Sequence, residues 1–239
     1  MIEGLRINYN VYGKGPSVIF LHGWGMNGTT FFNLANNLCE KYQVYTIDLP
    51  GFGKSDLLKA LDISEVCSIV HEFAEQNKII KPTLICHSYG GRIGMMYASR
   101  YEISGLVLIS SPGFKKKLSL VKKMNICIYK LCKKINIYLP FGSSDYKNAS
   151  ELLKKTLVKT VNYDLREEMT RINTPTIILA GENDKIVLLS EEKRINKYIK
   201  NSKLIVIKGA SHFPYLERKR EVSLIIMAFL EGIMWLQNF

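Results

Sequence analysis

A serine closes an apolar run in the stretch Leu84-Ile85-Cys86-His87-Ser88-Tyr89-Gly90-Gly91-Arg92. A strand that turns sharply into a helix presents the turning side chain above a sheet, and the strained turn needs small neighbours. Gly90 satisfies that need two residues after Ser88, whereas two residues before it stands Cys86, small but not glycine. Ser88 is therefore a candidate nucleophile. A serine hydroxyl attacks poorly near neutral pH, so it needs a base, and the base needs an orienting acid. Asp184 follows the apolar run Ile177–Ala180, and His212 follows Val206–Ile207 and a short flexible turn. In these roles His212 takes the serine proton and returns it to the leaving group, while Asp184 holds the imidazole tautomer and stabilises the imidazolium. Taken singly, His212 reads as well as a turn histidine, and Asp184 as a solvated loop acid. Their order, and their placement after strands, joins them to Ser88. The run ending at Ile109 is followed by Ser110-Ser111-Pro112 and offers no rival carboxylate.

Acyl transfer also needs donors for a developing oxyanion. The run Val18–Leu21 ends in His22-Gly23-Trp24-Gly25. The backbone N–H of Trp24, and that of Tyr89 just after the nucleophile, are the candidate donors, with the Trp24 side chain a candidate wall of the acyl pocket. His22 reads as a loop-organising hydrogen bonder. His87 should point away from the nucleophile, because neighbours on a strand alternate faces.

The elements that must position these groups alternate between strand-like and helical patterns. Strands are predicted over 5–12, 17–21, 43–47, 83–86, 106–109, 176–180 and 204–207. Helices are predicted over 31–41, 89–100 and 189–200, with another after the capping-box pair Asp62 and Glu65. The pattern implies a mostly parallel α/β sheet with helices on both faces and function at the carboxyl ends of strands. The alternation breaks over 113–171, where Leu120, Met124, Cys127, Leu131 and Ile135 recur at helical spacing, Pro140-Phe141-Gly142 interrupts, and 152–161 forms another helix. We expect one domain over 1–239, with 113–171 a helical cap inserted over the strand ends.

The 239 residues, 47% hydrophobic and 23% charged, suit one folded domain. Five cysteines, an odd number without a C-x-x-C pair, point to free thiols and a reducing cytoplasm. Four histidines in no ligand spacing give no expectation of a metal. The opening MIEGLRINYN lacks the apolar core of a secretion signal, and the stretch 222–236 is too short to span a bilayer and reads as a docked amphipathic helix. The net charge is +12, with eight lysines and no acid between Lys115 and Lys134. That run reads either as a solvated face or as a surface for an anionic carrier protein or anionic membrane. No motif supports nucleic acid.

Together HGWG at 22–25, DLPGFGKS at 48–55, HSYGG at 87–91, GENDKIV at 181–187 and GASHFPYLE at 209–217 resemble the α/β-hydrolase superfamily. The resemblance implies an eight-stranded, mainly parallel sheet, a helical cap and no cofactor. HGWG followed by DLPGFG is similar to the carrier-protein-linked methyl ester carboxylesterases, and SYGGR is similar to a triad-bearing lyase of menaquinone synthesis. The expected activity is hydrolysis of a carboxylic ester or thioester of a small or acyl substrate. Triad-dependent carbon–carbon cleavage and a non-catalytic binding protein on the same scaffold are the alternatives.

Overall fold

The computed structural model describes residues 2, 4–115 and 149–237. The helix predicted through Leu120 to Ile135, the break at Pro140–Gly142, and all of the lysine run after Lys115 lie outside the described residues.

Seven strands form one sheet, in the order β1-β3-β2-β4-β5-β6-β7. They are β1 (Tyr9–Tyr12), β2 (Ser17–Leu21), β3 (Gln43–Ile47), β4 (Thr83–His87), β5 (Gly105–Ile109), β6 (Thr176–Gly181) and β7 (Ser202–Ile207). Only β1 runs antiparallel, against β3. The described residues thus hold seven strands where the resemblance implies eight. The first strand is also shorter than predicted. Around Gly4 the chain makes only an isolated Ile2–Leu5 bridge. The amide of Asp56 then bonds the Arg6 carbonyl, so residues 5–8 lie along the 48–56 loop before β1 begins.

Both faces of the sheet are covered, so β4, β5 and β6 are buried at every position and are largely apolar. In β2 and β4, Ile19, Leu21, Leu84 and Cys86 enter one core, and Val18, Phe20 and Ile85 the other. The first core packs against α2 (Ile63–Gln76), α3 (Tyr89–Ala98), α5 (Arg166–Arg171) and α6 (Leu189–Tyr198). The second packs against α1 (Phe32–Leu38) and the C-terminal α8 (Lys219–Gln237), which buries Val222, Ile226 and Leu230. The predicted capping box is present, with Asp62 and Glu65 each accepting the other's backbone N–H. A helix α4 (Glu151–Asn162) follows the undescribed segment, and a single turn, α7 (Pro214–Glu217), precedes α8. Among the described residues no helix is long and apolar enough to cross a membrane.

From β2 the chain moves to β3 on one side, and then to β4 on the other. The loops after β2 and β4 therefore diverge from adjacent strand ends, where an open α/β sheet forms a crevice. Leu21 of β2 pairs with Cys86 of β4, which sets His22–Gly25 beside Ser88.

Candidate active site

Ser88 sits between β4 and α3 with φ 50° and ψ −107°. A non-glycine residue there costs about 1–3 kcal/mol and persists only where its surroundings hold it. Three backbone bonds do so. Ser88 N–H donates to Ile109 at 3.0 Å, Gly90 N–H to His22 at 3.0 Å, and Gly91 N–H to Ser88 at 3.0 Å. A Cβ at Gly90 would collide with the backbone of Leu21, so the glycine lets α3 approach the end of β2.

The cysteine at 86 is accommodated from the helix. Its buried Sγ lies 2.5 Å from where a Cβ on Gly94 would stand. The small residue needed under the turn is supplied by Gly94, eight positions along the chain. Gly94→Ala should therefore lose stability, by about 1–3 kcal/mol of overpacking, despite a helix-propensity gain of roughly 1 kcal/mol. Cys86→Ala in the same chain should recover most of the loss. Thermal unfolding of the two single variants and the double variant reads the coupling, and additive effects would contradict the contact.

His212 and Asp184 reach Ser88 from neighbouring loops. Asp184 lies three residues past β6 and His212 five past β7. The two loops are stitched by Asn183 N–H to the Ala210 carbonyl at 2.8 Å and Gly209 N–H to Glu182 at 2.8 Å. His212 Nδ1 is 2.8 Å from Asp184 Oδ2, and its Nε2 is 3.1 Å from Ser88 Oγ. With the carboxylate ionised, this network assigns the proton to Nδ1 and leaves Nε2 to accept from the hydroxyl. Asp184 Oδ1 accepts the amides of Ile186 at 2.7 Å and Val187 at 3.0 Å. Burial alone would raise the carboxyl's pKa, but His212 and the two amides outweigh it and hold the group below the usual carboxylate range.

Tyr89 follows Ser88 directly, Gly23 of the β2 loop stands against Ser88, and neither the Trp24 nor the Tyr89 amide donates to the protein among the described residues. The Trp24 ring meets Phe52 at 4.9 Å and Tyr89 at 5.2 Å, edge to face, and so forms an aromatic wall. His22 is fully buried and ties two loops. Its Nε2 accepts the Leu49 amide at 2.9 Å and its Nδ1 faces the Gly23 carbonyl at 2.8 Å. Burial lowers its pKa to about 4, so it is neutral at pH 7. His87 turns to the sheet face opposite Cys86, yet it is not remote from the site. Its Nε2 lies 2.9 Å from the His212 carbonyl, and its ring packs against Phe213 and Tyr215. Alternation along the strand gives the direction of His87, but the return of the β7 loop to meet it is a tertiary event.

A carboxyl from elsewhere reaches the Ser110–Pro112 loop. Glu192 of α6 is fully buried, with Oε1 accepting the Ser111 amide at 3.3 Å and Oε2 without a partner. Its spacing carries a signal, since it shares the apolar stripe of Ile195 and Ile199. Burial, then the Asp184 charge, pushes its pKa up to about 9. Between its ordinary value and 9 the folded protein holds a proton that the unfolded chain releases, so stability falls as pH rises through that window. Glu192→Gln removes this dependence. Its unfolding free energy should gain on that of the native protein from pH 5 to pH 8, by at most about 1.4 kcal/mol per pH unit. An equal gap at both pH values would contradict a buried neutral Glu192.

Residues 16–126 match a family model described as the alpha/beta hydrolase fold. A pimeloyl-[acyl-carrier protein] methyl ester esterase of Aeromonas hydrophila is 25% identical over 259 residues, spanning 95% of this chain and all of that one. One from Wigglesworthia glossinidia brevipalpis is 28% identical, over 93% and 97% of the two chains. Among solved structures, an esterase from Exiguobacterium antarcticum superposes with a TM-score of 0.80 at 22% identity, covering 96% of this chain and 97% of that one.

Proposed function

We propose that this chain is an ester-cleaving α/β-hydrolase that opens a carboxylic ester or thioester of an acyl substrate through an acyl-enzyme on Ser88. The observation that carries this reading is the line of contacts from Asp184 through His212 to a serine held in a strained turn. Ser88 Oγ attacks the carbonyl carbon as its proton passes to His212 Nε2. The carbonyl oxygen becomes an oxyanion, held by the Trp24 and Tyr89 amides. Collapse of the tetrahedral intermediate breaks the bond to the alcohol or thiol, which leaves with the proton from His212. Water then attacks the acyl-enzyme by the same route and regenerates Ser88. Asp184, ionised across the neutral range, stabilises the imidazolium in both halves of the cycle.

The acyl chain runs along an apolar surface. Trp24, Leu57, Leu153 and Tyr163 are partly buried hydrophobics packed on the first core, and they come from the β2 loop, the 48–61 segment and the cap insertion. α4 is the described part of that cap and closes this surface from above. Thr156 accepts the Leu61 amide at 3.1 Å, and Lys159 reaches the Ala60 carbonyl at 2.9 Å. The relatives named above are esterases of a carrier-bound acyl methyl ester. That chemistry, with the +12 charge of this chain, supports an acidic acyl carrier as the form in which substrate arrives.

A panel of p-nitrophenyl esters, acyl thioesters, a carrier-linked methyl ester and a ring-fission dienone tests the reading. Ester and thioester turnover is expected, with kcat/KM for the carrier-linked ester falling steeply with salt and that for a small neutral ester holding nearly constant. Turnover of the dienone alone would replace ester hydrolysis with carbon–carbon cleavage. Equal salt profiles would remove the carrier.

A further inference from the structure

Arg92 lies one helical turn past Ser88 on α3, and its side chain is buried with 3% of its surface exposed. No carboxylate lies within ion-pair distance of it among the described residues. Its guanidinium instead donates to two main-chain carbonyls, Pro112 through Nη1 at 3.3 Å and Tyr163 through Nη2. Those carbonyls flank the stretch from the entry of the cap insertion to the end of α4. Pro112 lies in the chain leaving β5, and Tyr163 is the residue that caps α4.

The two ends are also joined to each other. Leu165 N–H donates to the Gly113 carbonyl at 3.0 Å, and Lys115 N–H to Asp164 at 3.3 Å. Glu191 of α6 accepts the amides of Gly113 and Phe114. Arg92 is the member of this junction that comes from the nucleophile's own helix. The carboxylates of Glu191 and Asp164 favour its charge from beyond ion-pair distance, but burial still outweighs them and lowers its pKa to about 10. Burying a charge without a direct ion pair is costly, and it persists where the group performs a task that an apolar side chain cannot. Here the task is to hold two carbonyls at once with a rigid fork, which suits guanidinium and not ammonium. α4 carries Leu153 on the proposed acyl surface, and Tyr163 follows directly, so a shift at the C-terminal end of α4 would move that surface.

We propose that Arg92 is a positioning residue that fixes α4 above the nucleophile helix and so sets which acyl-chain lengths the site accepts. The inference rests on the esterase reading of the same site.

The test uses Arg92→Lys, which keeps the charge but not the fork, and Arg92→Met, which keeps the bulk of the stem but no donor. For each, kcat and KM are measured on p-nitrophenyl acetate, hexanoate and decanoate. Amide hydrogen exchange is followed at residues 110–115 and 163–165. The ratio of kcat/KM for decanoate to that for acetate should shift at least tenfold in Arg92→Met, mainly through KM, and by an intermediate factor in Arg92→Lys. Acetate turnover should stay within threefold. Exchange should quicken at the junction and not along α3. Should Arg92→Met fail to fold, Arg92→Lys decides alone. An unchanged ratio in a folded variant, or a fall that is uniform across chain lengths, would overturn the proposal. A native enzyme that cleaves no ester in the series would instead overturn the esterase reading, before any variant is compared.

Discussion

Ser88→Ala is expected to lower kcat/KM for ester hydrolysis by about 10³-fold or more, with the fold unchanged. The hydroxyl is the atom that becomes acylated, and its loss leaves only the catalysis that binding and the amide donors supply. The methyl group fits the turn as the serine does, because Ser88 Oγ contributes no cap hydrogen bond to α3. A fluorophosphonate probe should label the native protein once, at Ser88, and leave the alanine variant unlabelled. Mass spectrometry of the labelled peptide reads the site directly. Labelling that survives in Ser88→Ala would remove Ser88 from the mechanism.

The second large effect separates the two partners of the serine. His212→Ala removes the group that moves the proton and should cost about as much as the loss of Ser88. Asp184→Asn should cost no more than that, since the carboxylate orients and stabilises but does not transfer the proton. Its cost should still be large, about 10²- to 10⁴-fold, because an amide in place of Oδ2 can present N–H toward Nδ1 and favour the wrong tautomer. The substituted side chain would retain an acceptor oxygen for the Ile186 and Val187 amides, so the loop should stay folded. Full activity of Asp184→Asn at neutral pH would move the acid elsewhere.

What could be read from the chain, and what could not, divides along a physical line. Ser88, Asp184 and His212 each stand in the loop that follows a parallel strand, and in a parallel sheet such positions gather at one edge. Local pattern therefore sufficed to bring them together on paper. The boundaries of β2 and β3 were legible for the same reason, since burial on both faces leaves near-continuous apolar runs. The start of β1 was not legible. Residues 5–8 alternate like a strand, but Leu5 pairs back with Ile2, and the backbone partners of Arg6 and Asn8 belong to the 48–56 loop. Glu192 and Arg92 were harder still. A charged residue in a helix reads as solvent-facing unless its burial is seen, and what keeps each one inside is a backbone group far away in the chain. No periodicity announces such a partner.

The contact between Cys86 and Gly94 has a consequence for ancestry. With a side chain larger than hydrogen at 94, the Sγ at 86 has no room, whereas glycine at 94 tolerates either residue at 86. The path from a glycine-bearing elbow to this one is therefore ordered. Position 94 must already be glycine before cysteine can enter at 86, and once cysteine is there, position 94 can no longer drift. Among relatives, alanine or any larger residue at 94 should keep company only with glycine or alanine at 86.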